Sequence, residues 1–206
     1  MSTPVSLQLA QEERADALLS RDPFALLAGM LLDQQFPMER AFAGPLLLAE
    51  RLDPSGDPRL DPAMVASVDP ERLGAAMAGP PAVHRYHGSM GGRLQALAAC
   101  VVDRYAGDTT RIWRDLEADG RTPSGEQVRA RLEALPGFGR QKASIFVALL
   151  GKQLGVQPAG WREAAGAYGD DGSFRSVADV RDPASLARVR ETKKAAKAEK
   201  KAASAR

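Results

Sequence analysis

The stretch ALPGFGRQKASIFVALLGKQ, residues 134–153, places a Pro-Gly-x-Gly turn between two segments with helical periodicity. Glycine in such a turn supplies a positive φ or leaves room for a close neighbour. The amides of the turn and of the next helix's first turn then lie free at an electropositive helix N-terminus. This geometry can bind a phosphate through the backbone, and Arg140 and Lys142 add positive charge beside it. A helix connection without a ligand is the alternative interpretation.

The rest of the chain is also helical in pattern, because no sustained period-two alternation occurs and aromatic residues make up only 5%. Ser124 followed by Gln127 predicts a capping box. Pro45 lies inside a helical run and is expected to kink or split that helix. The glycine-rich segment 156–174 carries no clear assignment. Four Asp-Pro pairs predict helix starts at residues 22–23, 61–62, 69–70 and 182–183.

The 206 residues suit one domain or two small ones. A single cysteine, Cys100, excludes a four-cysteine metal or iron–sulfur site, and no His/Cys/Asp cluster suggests another metal. We therefore expect no metal and no cofactor. No apolar run approaches the roughly 18 residues of a membrane span, and the N-terminus lacks the pattern of a signal peptide. These features predict a cytoplasmic monomer with no membrane partner.

Charge is unevenly distributed along the chain. The net charge is +2, but residues 187–206 alone hold eight Lys/Arg against two Glu, which leaves −4 for the rest. This Lys/Ala-rich tail is either a solvated helix end or disordered terminus, or a nonspecific phosphate-binding arm. The acidic body counts against extensive phosphate contact, whereas Arg140, Lys142, Lys152 and the tail count in favour.

Three segments in the same order resemble one family. LPGFGRQKA (135–143) is similar to the helix-hairpin-helix motif of the HhH-GPD superfamily of base-excision repair DNA glycosylases, which are endonuclease III-like. DPFALLAGMLLDQQ (22–35) resembles the family's helix that ends in a glutamine at the DNA interface. GSMGGRLQALAACVVDRYAG (88–107) resembles the helix before the hairpin. The similarity spans about residues 20 to 155.

The resemblance implies an all-α, two-lobed fold that binds double-stranded, damaged DNA across the cleft between its lobes. Residues 22–140 would form a helical bundle that ends in the hairpin at 135–139. Residues 1–21 together with 141–186 would form the second lobe, followed by the basic tail 187–206. In a bacterium such a protein would be associated with the nucleoid. The target nucleotide would be flipped into the cleft, because its glycosidic bond is inaccessible inside the duplex.

The resemblance also assigns DNA-binding residues. Gln35 would fill the gap left by the flipped nucleotide or touch the opposite strand, and Gln34 could share that role. Water-exposed polar residues at a helix end are the alternative for this pair. The hairpin contacts would come from Gly137, Phe138, Gly139, Arg140 and Lys142.

The family's catalytic residues are not in register. Its aspartate should fall at 157–161, where the sequence reads QPAGW, and the position of its lysine nucleophile is taken by Gln141, one residue before Lys142. Glu163 and Asp170 are the downstream carboxylates that could substitute, unless they are exposed loop residues. Asp33, just before the glutamine pair, could face the same cleft.

Aromatic and histidine side chains leave further alternatives open. His84, Tyr86 and His87 either line the cleft or touch DNA, or they form a polar loop. Trp161 and Tyr168 either stack on a flipped base or belong to the core of the small lobe. Three functions remain: a monofunctional glycosylase, a glycosylase-like module that binds damaged DNA without chemistry, and a helical scaffold for a protein partner.

Overall fold

The computed structural model describes residues 6–54 and 56–203, and every regular element within them is helical. The all-α expectation is therefore confirmed, while the two-lobed HhH-GPD fold stays a prediction. None of the helices in this part of the chain is long and apolar enough to cross a membrane. The α-helices are α1 (Glu13–Arg21), α2 (Pro23–Leu32), α3 (Met38–Leu52), α4 (Pro62–Ser67), α5 (Pro70–Ala78), α6 (His87–Tyr105), α7 (Arg111–Arg114), α8 (Gly125–Glu133), α9 (Arg140–Gln153), α10 (Trp161–Ala165) and α11 (Pro183–Ala203).

Local capping sets the helix starts, as the sequence predicts. Asp22 accepts hydrogen bonds from the amides of Phe24 and Ala25, both at 3.0 Å, and so caps α2. Asp61 and Asp69 cap α4 and α5 in the same way. A reciprocal capping box begins α8. At the start of α11, the side chain of Asp182 accepts a hydrogen bond from the backbone amide of Ser185.

Helix α2 is the centre of the core, because nine of its ten residues are buried. It packs against α1, α3 and α6. A Cβ on Gly29 would lie only 2.6 Å from the ring of Phe42 in α3, so glycine permits the close approach of these two helices. Burial on all sides explains why this helix shows no polar face in the sequence.

Helix α3 runs unbroken through Pro45, which contradicts the expectation of a split. Pro45 is buried, and a Cβ on the neighbouring Gly44 would meet Leu32 at 2.8 Å and Val83 at 3.0 Å. Dense packing on both sides of this segment holds the helix together across the lost backbone hydrogen bond. The sequence pattern alone does not predict that packing.

Helices α8 and α9 form the hairpin, and α10 packs against both of them. A Cβ on Gly151 would lie only 2.4 Å from the ring of Trp161, so glycine at this position leaves room for that ring. Trp161 is 8% exposed, so it belongs to the core, the second of its two interpretations. The segment without an assignment contains α10 and a 3₁₀ turn at Gly166–Tyr168.

The division into two lobes is not resolved by the packing. Buried apolar residues from Leu7 to Val189 form a single hydrophobic cluster. The proposed boundaries at 22–140, at 1–21 with 141–186, and at 187–206 therefore stay predictions. Residues 1–5, 55 and 204–206 of these ranges lie outside the described part.

Lys152 is not available to DNA, which corrects its place among the expected phosphate contacts. Its ammonium lies 2.6 Å from Asp179, and both side chains are only 6% exposed. Asp179 also accepts hydrogen bonds from the backbone amides of Arg175 and Ser176. This pair ties α9 to the 3₁₀ turn Val177–Asp179, which in turn contacts α11.

Replacing Asp179 by alanine should lower the free energy of unfolding by about 3 kcal/mol, because it leaves the buried ammonium of Lys152 unpaired. Chemical denaturation measures this change. Asp171→Ala is the matched control, since Asp171 pairs with Arg162 but is 81% exposed, so its loss should change stability little. Equal effects of the two substitutions would contradict the structural role of the buried pair.

Candidate nucleic-acid interface

The hairpin turn joins α8 to α9 at the protein surface. The amide of Phe138 donates to the carbonyl of Leu135 at 3.0 Å, which closes the turn. The Phe138 side chain is 6% exposed and packs edge-on against Phe146. Phe138 is therefore a core anchor of the turn, and its side chain is not placed for the DNA contact that the resemblance implies.

The two glycines of the turn differ in whether the structure requires glycine at their positions. Gly137 has a φ of +79°, and a Cβ there would overlap Leu31 of α2 at 2.3 Å, so its need for glycine is internal. Gly139 has a φ of −103°, and a Cβ there would meet nothing within 4 Å. Neither backbone strain nor packing demands glycine at 139, which leaves an open surface at the start of α9.

Lys142 connects α9, the second helix of the hairpin, to the end of α2. Its ammonium donates to the carbonyls of Met30 and Leu31, each at 2.7 Å. Burial is the main cause that lowers the pKa of Lys142 to about 8. The ammonium is thus held by hydrogen bonds within the protein, which corrects its expected role as a direct phosphate contact. Arg140, by contrast, is exposed beside Gly139.

The loop after α2 carries Gln34 and Gln35, both exposed. The carbonyl of Gln34 lies 3.1 Å from Nε2 of His84, and its side-chain oxygen accepts from Arg93 at 2.9 Å. Gln35 has a φ of +53°, a left-handed conformation that is rare outside glycine. Such strain persists only where surrounding contacts hold it, and these contacts fix the loop from the α6 side.

His84 is a buried structural residue, so it is neither a DNA contact nor part of an exposed polar loop. Its Nδ1 accepts from the backbone amide of Tyr86 at 3.0 Å, so Nε2 carries the proton and donates to Gln34. Burial lowers the pKa of His84, and the positive charges of Lys142 and Arg85 lower it further. His87 is exposed and begins α6.

Three long helices begin around this loop without a side-chain cap. They are α3, which follows the loop directly, α6, whose first turn lies against Gln34 and Gln35, and α9, whose Lys142 bonds to the last turn of α2. Every other helix of eight or more residues in the described ranges has an aspartate, glutamate or serine cap. Three sets of N-terminal amides therefore lie around the end of α2, and the helix dipoles add positive potential there.

A cleft of about 700 Å³ lies next to this surface, between α9 and α11. Its volume falls in the range of ligand-binding sites. Asp33 is the one carboxylate among its described lining residues, and Tyr168, half-buried, accepts a hydrogen bond from Gln141 at 2.9 Å. The lining also includes Met30, Lys142, Ile145, Ala167, Arg175, Thr192, Lys193, Ala196 and Lys197.

The carboxylates suggested as catalytic substitutes lie elsewhere. Glu163 is exposed on α10, and Asp170 is exposed in a loop whose carbonyl accepts from Lys152. Neither lines the cleft. Tyr168 lines the cleft and also packs against the hydrophobic core, so both of its interpretations stay open. The described residues contain no group of three or more His, Cys, Asp or Glu side chains able to hold a metal ion.

Comparisons of the chain with protein-family models, curated proteins and solved structures find no match.

Stability should fall as the pH drops from about 7.5 towards 5.5, because His84 is neutral in the folded protein and the unfolded chain takes up the proton first. The slope from one such group is at most about 1.4 kcal/mol per pH unit. Urea unfolding across this range should show that His84→Gln flattens the profile.

His87→Gln is the matched control and should keep the wild-type slope. Burial also raises the pKa of Asp33, but this carboxyl is present in both proteins. The difference between the wild type and His84→Gln isolates the histidine. Identical profiles for these two proteins would contradict the neutral, Nε2-protonated assignment.

Proposed function

We propose that this chain binds double-stranded DNA as a protein of the base-excision repair type, with phosphates at the hairpin surface and an extruded nucleotide in the adjacent cleft. The observation that carries the proposal is the convergence of three uncapped helix N-termini beside a cleft of nucleotide size. Backbone amides of this kind bind phosphate without reading sequence, as a repair protein requires.

The open surface at Gly139 supports close contact with a phosphate. A side chain there would have free space, yet glycine leaves the amides of α9 accessible. Arg140 is exposed next to these amides and makes no hydrogen bond or ion pair within the described residues, so its charge is free for a phosphate. The resemblance of LPGFGRQKA to the helix-hairpin-helix motif favours the same role.

The Gln34–Gln35 loop is suited to occupy the space that an extruded nucleotide leaves in the duplex. Both side chains are exposed, while the backbone beneath them is held by His84 and Lys142. A rigid base lowers the entropy cost of inserting the loop. The loop also lies beside the cleft, because Asp33 belongs to both.

Two alternatives have different consequences. A module that recognises damaged DNA without chemistry would use the same surface, and only an excision assay separates it from an enzyme. A scaffold for a protein partner would be expected to present exposed apolar area, yet the large hydrophobic residues that the described part exposes are only Tyr86 and Leu116. Uncapped helix starts favour an anionic partner instead.

Arg140→Ala should weaken binding to an intact 20-base-pair duplex about tenfold at low salt and reduce the salt dependence by about one counterion. Fluorescence anisotropy at several salt concentrations measures both. Arg59→Ala is the control, since Arg59 is equally exposed but lies at the opposite, N-terminal end of α2. If wild-type protein did not bind the duplex at 50 mM salt, the proposed function would be wrong.

Gln35→Ala should leave affinity for an intact duplex unchanged and reduce the preference for a duplex with an abasic site by about fivefold or more. The reason is that the side chain fills space which exists only in the distorted duplex. Competition binding with the two duplexes measures the preference. Gln8→Ala is the control, because Gln8 is exposed and lines neither the cleft nor the pocket at Gln34 and Gln35, and it should change neither affinity nor preference.

A further inference from the structure

Asp33 is unusual among the carboxylates of this protein. It is partly buried in the cleft wall, yet within the described residues its carboxylate accepts no hydrogen bond and makes no ion pair. Its nearest cationic neighbour on α9, Lys142, directs its protons to carbonyls instead. Burying an unpaired carboxylate costs folding energy, so its presence indicates a use outside stability.

The charges around Asp33 are of the opposite sign. Arg175, Lys193 and Lys197 also line the cleft, and the charges of Lys193 and Lys142 act on Asp33 without contacting it. Burial is nevertheless the larger influence and raises the pKa of the carboxyl. The cleft therefore combines one free carboxylate with a cationic wall, two features that suit a reaction in which charge separates.

We infer that Asp33 is the catalytic carboxylate of an N-glycosidic hydrolysis in this cleft, acting on a nucleobase that departs as an anion. The inference rests on the proposed DNA-binding function. As the bond between C1′ and the base nitrogen breaks, its electron pair leaves with the base and positive charge develops on the sugar. Asp33 stabilises that charge and accepts a proton from the water whose oxygen bonds to C1′. The departing base takes up this proton.

The cationic wall determines the class of base. Lys193 and Lys197 stabilise negative charge on a departing base, as for uracil and oxidised pyrimidines, which leave as anions. A base that is already cationic, such as an N7-alkylated purine, would be repelled from the same wall. Tyr168 and Ile145 supply apolar surface on which a flipped base can lie.

The test is single-turnover excision on duplexes that carry one uracil, one 5-hydroxyuracil or one 7-methylguanine, followed by alkaline strand cleavage. Wild-type protein should release the two pyrimidines and leave the methylated purine. Asp33→Asn should reduce excision at least about 100-fold while its affinity for the same duplexes changes less than about twofold. Asp33→Ala should behave in the same way.

Stability measurements separate catalysis from a structural role. Asp33→Asn should melt at the same temperature as the wild type or higher, because it removes an unpaired, partly buried charge. A structural carboxylate would instead lower the melting temperature when replaced. Asp103→Asn is the matched control, since Asp103 is exposed on α6 and makes no ion pair, and it should excise normally.

Each contrary result has a distinct meaning. Duplex binding without excision of any of the three bases would overturn the catalytic role and leave the proposed function standing. Excision that survives Asp33→Asn, or that is abolished by Glu163→Gln or Asp170→Asn, would place the catalytic carboxylate elsewhere. Preferential release of 7-methylguanine would overturn the anionic leaving group. Absence of duplex binding would instead refute the proposed function.

Discussion

The two hydrogen bonds from Lys142 to the carbonyls of Met30 and Leu31 join the hairpin helix to the central helix. Without this contact the last turn of α2 would end with unsatisfied carbonyls in a partly buried place. The same contact sets the distance between the hairpin turn and the Gln34–Gln35 loop. Gly137 makes it possible, since any side chain there would push α9 away from Leu31. The geometry of the proposed DNA surface therefore depends on one lysine and one glycine.

Electrostatics at this junction follow from how the helices meet. The negative end of α2 lies among the positive ends of α3, α6 and α9, and its carbonyls are partly neutralised by Lys142. Asp33, the C-cap of α2, is left as the only carboxylate that lines the described cleft. A phosphate would be attracted to the helix starts, while a developing sugar cation would be stabilised by Asp33. One junction thus supplies both signs of charge within a short distance.

The sequence predicts the parts of this structure that are local. The four Asp-Pro pairs assigned to helix starts and the Ser124–Gln127 box identify those starts because caps act within four residues. Contacts far apart in the chain could not be predicted in this way: Lys142 reaches α2 across 112 residues, and Lys152 pairs with Asp179 across 27. Both lysines resembled free surface charge in the sequence, and both are committed inside the protein. Asp33 could be suggested by its position before the glutamines, but only the fold places it in the cleft.

The basic C-terminal segment, residues 187–206, brings positive charge to the cleft. It is helical through Ala203 in the described part, and an ion pair between Arg190 and Glu39 attaches it to α3. Arg188 lies 3.8 Å from the centre of the Phe174 ring, which fixes the same helix from the other side. Because Lys193 and Lys197 then line the cleft, the positive charge of this segment acts where a nucleotide would lie. The net charge of −4 on the remaining chain therefore does not oppose DNA binding, since the field that a ligand meets is set by the local groups and by the helix ends.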